Sequence, residues 1–171
     1  MAIAHLAGLG HRRIGHLLGS KDNVLAQARA QGVREEPAAR GLPIRPEWFF
    51  PGDFSLESGQ HSAGEWIAMT ERPTAIFCAS DESACGFIGE VQRRGFHVPR
   101  DVSVVGFDNI DLVAQITPAL TTICQPRRAI GETAARVMLA LMAGIAPESY
   151  DTTLPVDFIK RDSTAKPRSG R

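Results

Sequence analysis

The sequence lacks most of what would mark a nucleic-acid binder, a membrane protein or a disulfide-held domain. Excess charge is missing: 19 Lys and Arg balance 19 Asp and Glu, so no basic field exists to hold a phosphate backbone or an anionic membrane nonspecifically. Long apolar runs are missing too, all being far short of the roughly 20 residues that span a bilayer. The opening "MAIAHLAGLGHRR" carries its charges after its apolar part, the reverse of a secretory signal. A cytoplasmic chain without membrane contacts is therefore expected. Cysteine is scarce: Cys78, Cys85 and Cys124 are odd in number, sit in apolar surroundings and lack C-x-x-C spacing, which predicts buried reduced thiols rather than a disulfide or zinc site. G-x-S-x-G, G-x-x-x-x-G-K-[ST] and G-x-G-x-x-G are all absent. Nothing points to an enzyme, and neither cofactor nor metal is expected.

What is present is a chain of 171 residues, 43% hydrophobic, enough for one ordinary core or for one and a half domains of a larger architecture. Apolar runs alternate with helical periodicity, which predicts an α/β fold of parallel strands joined by crossover helices. "AIAHLAGLG" reads as a helix end stopped by Gly10 in a left-handed cap, "RIGHLLG" as a strand, and residues 22–41 as helical, with Pro37 ending or kinking the helix early. "EWFF" reads as a short strand, and Ser55 can cap a helix running to Met69. "TAIFCAS" is a strand, 81–95 a helix, "VSVVGF" and "TTIC" strands. A helix over 127–143 carries Ile130, Ala134, Val137, Met138 and Leu141 on one stripe, "TTLPVDFIK" is a last strand, and the tail "STAKPRSGR" is polar and expected to be disordered.

In an open parallel sheet, ligands bind beyond the carboxyl ends of the strands. Asp108 follows one strand end, Ser80 and Asp81 another and Phe54 a third, so all four could line one rim. Helix capping is the competing reading for the acids. It applies to Asp81, which opens a helix, more than to Asp108, because Asn109 is available to serve as cap. His11 beside Gly10 reads as a helix C-terminal residue interacting with free carbonyls.

The segments "LGHRRIGHLLG", "RPTAIFCASDESACG", "GFHVPRDVSVVGFDNI", "TPALTTICQP" and "LPVDFIKRDST" together resemble the effector-binding core of the LacI/GalR (lactose-repressor) family of bacterial transcription regulators. They occur in that family's order from Leu9 to about Thr164. The resemblance implies a periplasmic-binding-protein-like fold of type I: two α/β subdomains, each a parallel sheet with flanking helices, and a ligand cleft between them. In that scheme residues 1–124 form most of the C-terminal subdomain. Residues 125–152 form a hinge crossing and a helix of the other subdomain, where that helix's partner sheet would lie, 153–162 the returning strand, and 163–171 a disordered tail. A DNA-binding headpiece and the first half of the N-terminal subdomain are expected ahead of the point where Met1 begins, so operator DNA is a partner only through that headpiece.

Functional roles follow from the same resemblance. Arg29 in "RAQGVR" matches an arginine that hydrogen-bonds sugar hydroxyls or a ligand anion. Phe54 in "GDFSLESG" matches an aromatic that stacks on the ligand ring, and Asp108 an acid that accepts from its hydroxyls. Ser80 stands where the family commonly has Asn before Asp81, with a shorter side chain and fewer donors. Gln125 matches a residue able to face the cleft. A pyranose, with apolar faces and hydroxyl edges, suits this set, although Arg29 could equally be a solvated helix arginine and Phe54 a core aromatic. Phe87, Ile88, Leu112 and Ile116 are the candidate homodimer contacts, core packing being the alternative for some. The implied function is effector binding, of a sugar or similar small metabolite, and dimerisation in a transcriptional regulator. The alternative is a sugar-binding protein of an ABC-type transporter, against which "VPRDVSVVGFD" and the N-terminal pattern stand.

Overall fold

In the computed structural model, which describes residues 1–43, 45–146 and 152–168, helices and strands alternate along the chain. They are α1 (Ala2–Gly8), β1 (Ile14–Leu17), α2 (Val24–Ala39), β2 (Phe49–Phe50), α3 (Leu56–Ala68), β3 (Ala75–Cys78), α4 (Asp81–Arg93), β4 (Ser103–Asp108), β5 (Thr121–Cys124), α5 (Arg127–Met142) and β6 (Asp157–Ile159). The strands form one sheet in the order β2-β1-β3-β4-β5-β6. All neighbours are parallel except β5 and β6, as the α/β expectation required.

The runs "IGHL" and "AIFC" show no polar alternation because both faces of the sheet are covered, and every residue of β1 and β3 is buried. Successive side chains point to opposite faces. Ile76 and Cys78 enter one core with Trp66, Phe87 and Val91 from α3 and α4. Ala75 and Phe77 enter the other with Ile3, Leu6 and Val33 from α1 and α2. On the first face α3 and α4 meet backbone to backbone: a Cβ on Gly59 would lie 2.1 Å from the Ser83 carbonyl oxygen, and one on Gly86 2.0 Å from that of Leu56. Ser55 caps α3 by accepting from the Ser58 amide at 3.0 Å.

Several local expectations are corrected. The predicted helix at 22–41 starts after Asn23, whose Oδ1 accepts from the Leu25 and Ala26 amides, and it continues through Pro37 to Ala39. Pro37 falls in the last turn, where its missing N–H forfeits a single bond, and its carbonyl accepts instead from Arg40 and Leu42. The tail is ordered as far as it is described. Ser163 is fully buried; its Oγ donates to Val104 O at 2.6 Å and accepts from the Thr121 amide at 2.8 Å. The Ala165 amide donates to Ser103 Oγ at 3.1 Å. Polar composition suggested disorder, but here hydroxyls bond the backbone at the starting ends of β4 and β5; residues 169–171 lie outside the described residues. His11 is likewise no surface cap, its ring bonding Thr74 Oγ1 and donating to Ala165 O, both at 2.8 Å.

The helix α5 differs from the other four. None of its residues is buried, and its stripe lines an open cavity of about 510 Å³ together with Leu25, Leu154 and Val156. Residues 147–151 of the predicted crossing lie outside the described residues. No described helix is long and apolar enough to cross a membrane.

Candidate functional site

Because β2 and β3 both flank β1, the chain reverses its direction of travel across the sheet there, and the crevice at the carboxyl ends of the strands is the natural ligand position. A cavity of about 330 Å³ opens at this point. Asn23, Leu25 and Arg29 reach it from the first two turns of α2, and Phe54 from the loop after β2. Ser80 and Glu82 come from the start of α4, Asp108 from the last position of β4 and Ile110 from just beyond it. Arg29, Phe54, Ser80 and Asp108, chosen from sequence, thus share one wall; Asn23, Leu25, Glu82 and Ile110 were not foreseen. Glu82 could have been, as an acid in the first turn of a helix that follows a strand end.

Backbone strain is concentrated at this rim. The only described non-glycine residues with positive φ are Phe54 (75°), Asp108 (119°) and Asn109 (55°), each costing about 1–3 kcal/mol. Local bonds hold them. Ser80 Oγ donates to Phe54 O at 2.8 Å, and Asp53 Oδ1 accepts from the Ser55 amide at 3.0 Å. Gly19 leaves the space that the Phe54 ring occupies, since a Cβ there would lie 2.2 Å from the ring. Arg29 sits over Phe107, its guanidinium carbon 3.8 Å from the ring centroid and 5.9 Å from that of Phe54. Burial lowers the Arg29 pKa and the nearby Asp108 carboxylate opposes that shift. Gln125 donates through Nε2 to Asp108 Oδ1 and also lines the cavity under α5, so it joins the two spaces.

Other candidates are placed differently. Ser80 is the N-cap of α4, accepting from the Ser83 amide at 3.1 Å. That leaves Asp81 neither the cap nor a rim residue. It is fully buried, with Oδ1 accepting from Thr122 Oγ1 at 2.6 Å and Oδ2 from the Ile110 amide at 2.9 Å. Burial raises its pKa, while these two donors pull it down. Asp81 therefore ties α4 to β5 and to the turn after β4, and Gly106 stays bare because a Cβ would lie 2.2 Å from its Oδ1. Asn109 caps nothing; its Oδ1 accepts from Arg161 Nη2 at 2.7 Å, and Arg161 Nη1 also donates to Leu120 O at 2.7 Å. Of the four proposed dimer contacts, Phe87 and Ile88 are core residues on the α3–α4 face, 0% and 3% exposed. Ile116 is half-buried against the same core, and Leu112 is exposed. Phe87 and Ile88 thus follow the alternative of core packing, because only the assembled sheet decides which side of a helix is covered. Cys78 is buried while Cys85 and Cys124 are half-buried, all as free thiols.

Residues 3–164 match the model of the periplasmic binding protein-like domain. Among curated relatives, the HTH-type transcriptional repressor PurR of Photobacterium profundum is 40% identical over 139 residues, covering 81% of this chain and 42% of that protein. The chain thus spans under half the length of that relative. Among solved structures, a dimeric Lac repressor with a C-terminal deletion superposes with a TM-score of 0.90 at 32% identity, over 97% of this chain and 60% of that one. The transcriptional regulator CelR in complex with cellobiose superposes with a TM-score of 0.88 at 30% identity, over 93% of this chain and 49% of that one.

Proposed function

Since the chain belongs to the periplasmic binding protein-like domain family, as an effector-binding region of the LacI/GalR type, we propose that it binds a sugar or similar small metabolite for a longer, cytoplasmic transcriptional regulator rather than for a transporter or an enzyme. The observation that carries this is the convergence of Arg29, Phe54 and Asp108 on one cavity at the carboxyl ends of the strands, with Phe54 and Asp108 held in strained backbone. A guanidinium and a carboxylate suit the hydroxyl edge of a sugar and an aromatic its face. The solved relative that holds cellobiose supports a carbohydrate. Residues 1–124 form one subdomain of such a regulator. Residues 125–152 cross to the second, and 153–162 return, which accounts for the uncovered stripe of α5. Ligand closing the two subdomains shifts their relative arrangement and with it the spacing of DNA-binding headpieces.

Calorimetry on the full-length regulator with pentoses, hexoses, disaccharides and nucleosides tests the site. Asp108→Asn should weaken the ligand found by about 1.5–3 kcal/mol, the worth of one charged hydrogen bond; unchanged affinity removes Asp108 from the site. Self-association, supported by the dimeric Lac repressor, is assigned to the surface around Leu112 and Ile116. Light scattering should give a dimer that Leu112→Asp splits, and a monomer at high micromolar concentration removes that assignment.

A further inference from the structure

The end of the sheet opposite the effector cavity carries an unassigned concentration of positive charge. Arg13 directly precedes β1, Arg72 lies in the loop before β3, Arg100 in the loop before β4, and Arg168 ends the described C-terminal segment. Together with Asp101 and His11 they line a concavity of about 180 Å³. Only one carboxylate lines it: Asp101 pairs with Arg100 at 3.0 Å and Arg168 at 3.2 Å, with the His97 ring 3.5 Å away. Among the described residues Arg13 and Arg72 form no ion pair, so four guanidiniums face a single aspartate.

Arg72 is the anomalous member. Its guanidinium carbon lies beside the Trp66–Phe96 pair, 5.0 Å from the Trp66 centroid and 5.2 Å from that of Phe96. Its Nη1 is buried with no hydrogen-bond partner among the described residues. A buried cationic N–H without an acceptor is unfavourable, and the neighbouring aromatic rings offer Nη1 no oxygen to bond. The His11 ring forms a rigid wall, both nitrogens being committed to Thr74 and Ala165. Guanidinium forks match the oxygens of a phosphate group, and several converging forks select such a group over a single carboxylate.

We propose that this basin binds a small phosphate-bearing anion, either free phosphate or the phosphate of a small metabolite, with Arg72 as the inner donor and Arg13, Arg100 and Arg168 as the outer ones. The site is separate from the effector cavity. The two lie at opposite ends of β4, whose six residues span roughly 20 Å at about 3.3 Å each.

The test is isothermal titration calorimetry of the whole 171-residue chain with sodium phosphate and with glycerol 3-phosphate, at ionic strength fixed by sodium chloride. Phosphate should bind saturably at one site, and Arg72→Met should weaken it at least tenfold. Tighter binding of glycerol 3-phosphate assigns the basin to a phosphorylated metabolite, and equal binding assigns it to free phosphate. Because Arg72 also packs on Trp66 and Phe96, a second variant keeps the test decisive. The double change Arg13→Gln with Arg100→Gln, on the open rim and with its fold checked by circular dichroism, should also weaken phosphate at least tenfold. Arg128→Gln on α5, distant from the basin, should leave it unchanged. Absence of saturable phosphate binding, or undiminished binding in the folded double variant, overturns the proposal.

Discussion

Helices α4 and α5 carry apolar stripes of similar kind, yet α4 buries seven residues, Asp81, Ser83, Ala84, Gly86, Phe87, Ile88 and Val91, and α5 buries none. The difference is not in the helices' own composition. It lies in what stands opposite: α4 has the sheet and α3, met backbone to backbone at Gly59 and Gly86, whereas α5 has an open cavity. A stripe states a demand for burial, and only the surrounding chain determines whether it is met.

The largest expected effect comes from breaking the satisfied side. Ile88→Asp would place a charge in a core position 3% exposed and should cost more than about 4 kcal/mol. Urea unfolding should find the variant largely unfolded, and a near-normal midpoint would mean that α4 does not pack as described.

Acid attacks the core by another route. Burial holds the His16 pKa down from 6.5 to about 4, while its Nδ1–H donates to Phe77 O and opposes that shift in part. Between these values the unfolded chain takes up a proton that the folded chain refuses, so stability is full above pH 6.5 and falls as pH drops toward 4. The loss is at most about 3 kcal/mol, at 1.36 kcal/mol per pKa unit. Burial lowers the pKa of His5 and His11 as well, with the same sign. Denaturation midpoints at pH 7 and pH 4.5 should therefore differ, and His16→Leu should remove the largest share of the difference. If the variant keeps the full pH dependence, His16 is not the buried neutral ring described here.

The smallest effect is expected on the unsatisfied side. Met138 is 59% exposed, so Met138→Asp should change the stability of this chain by no more than about 0.5 kcal/mol. In the full-length regulator the same change should be far more costly, because there we assign the stripe to a second subdomain. A large loss already in the 171-residue chain would show that α5 has a native partner within it.

Most elements were readable in advance because they follow from local periodicity. "AIFC" and "VSVVGF" could only be strands covered on both sides, and Ser55 marked the start of α3. Phe54 and Asp108 were legible because each follows a strand end, an offset that survives folding, whereas Arg29 was named only through the resemblance to the LacI/GalR family. Asp81 was misjudged because its partners, Thr122 and the Ile110 amide, come from 41 and 29 residues away, a distance no local rule covers. The ordered tail failed for the same reason, since Ser163 finds Val104 across 59 residues.

The amino-acid order by itself determined where this chain is helical or extended, which faces demand burial and which polar residues emerge at strand ends, because these depend on backbone sterics and side-chain period alone. Only the tertiary structure decided which demands were met. Phe87 and Ile88 are interior while α5 stays uncovered, Asp81 braces the sheet while Asp108 reaches the cavity, and four arginines drawn from four separate segments gather at one concavity where a single aspartate pairs with two of them. Burial and charge are properties of neighbours in space, and those neighbours are assigned when the sheet assembles.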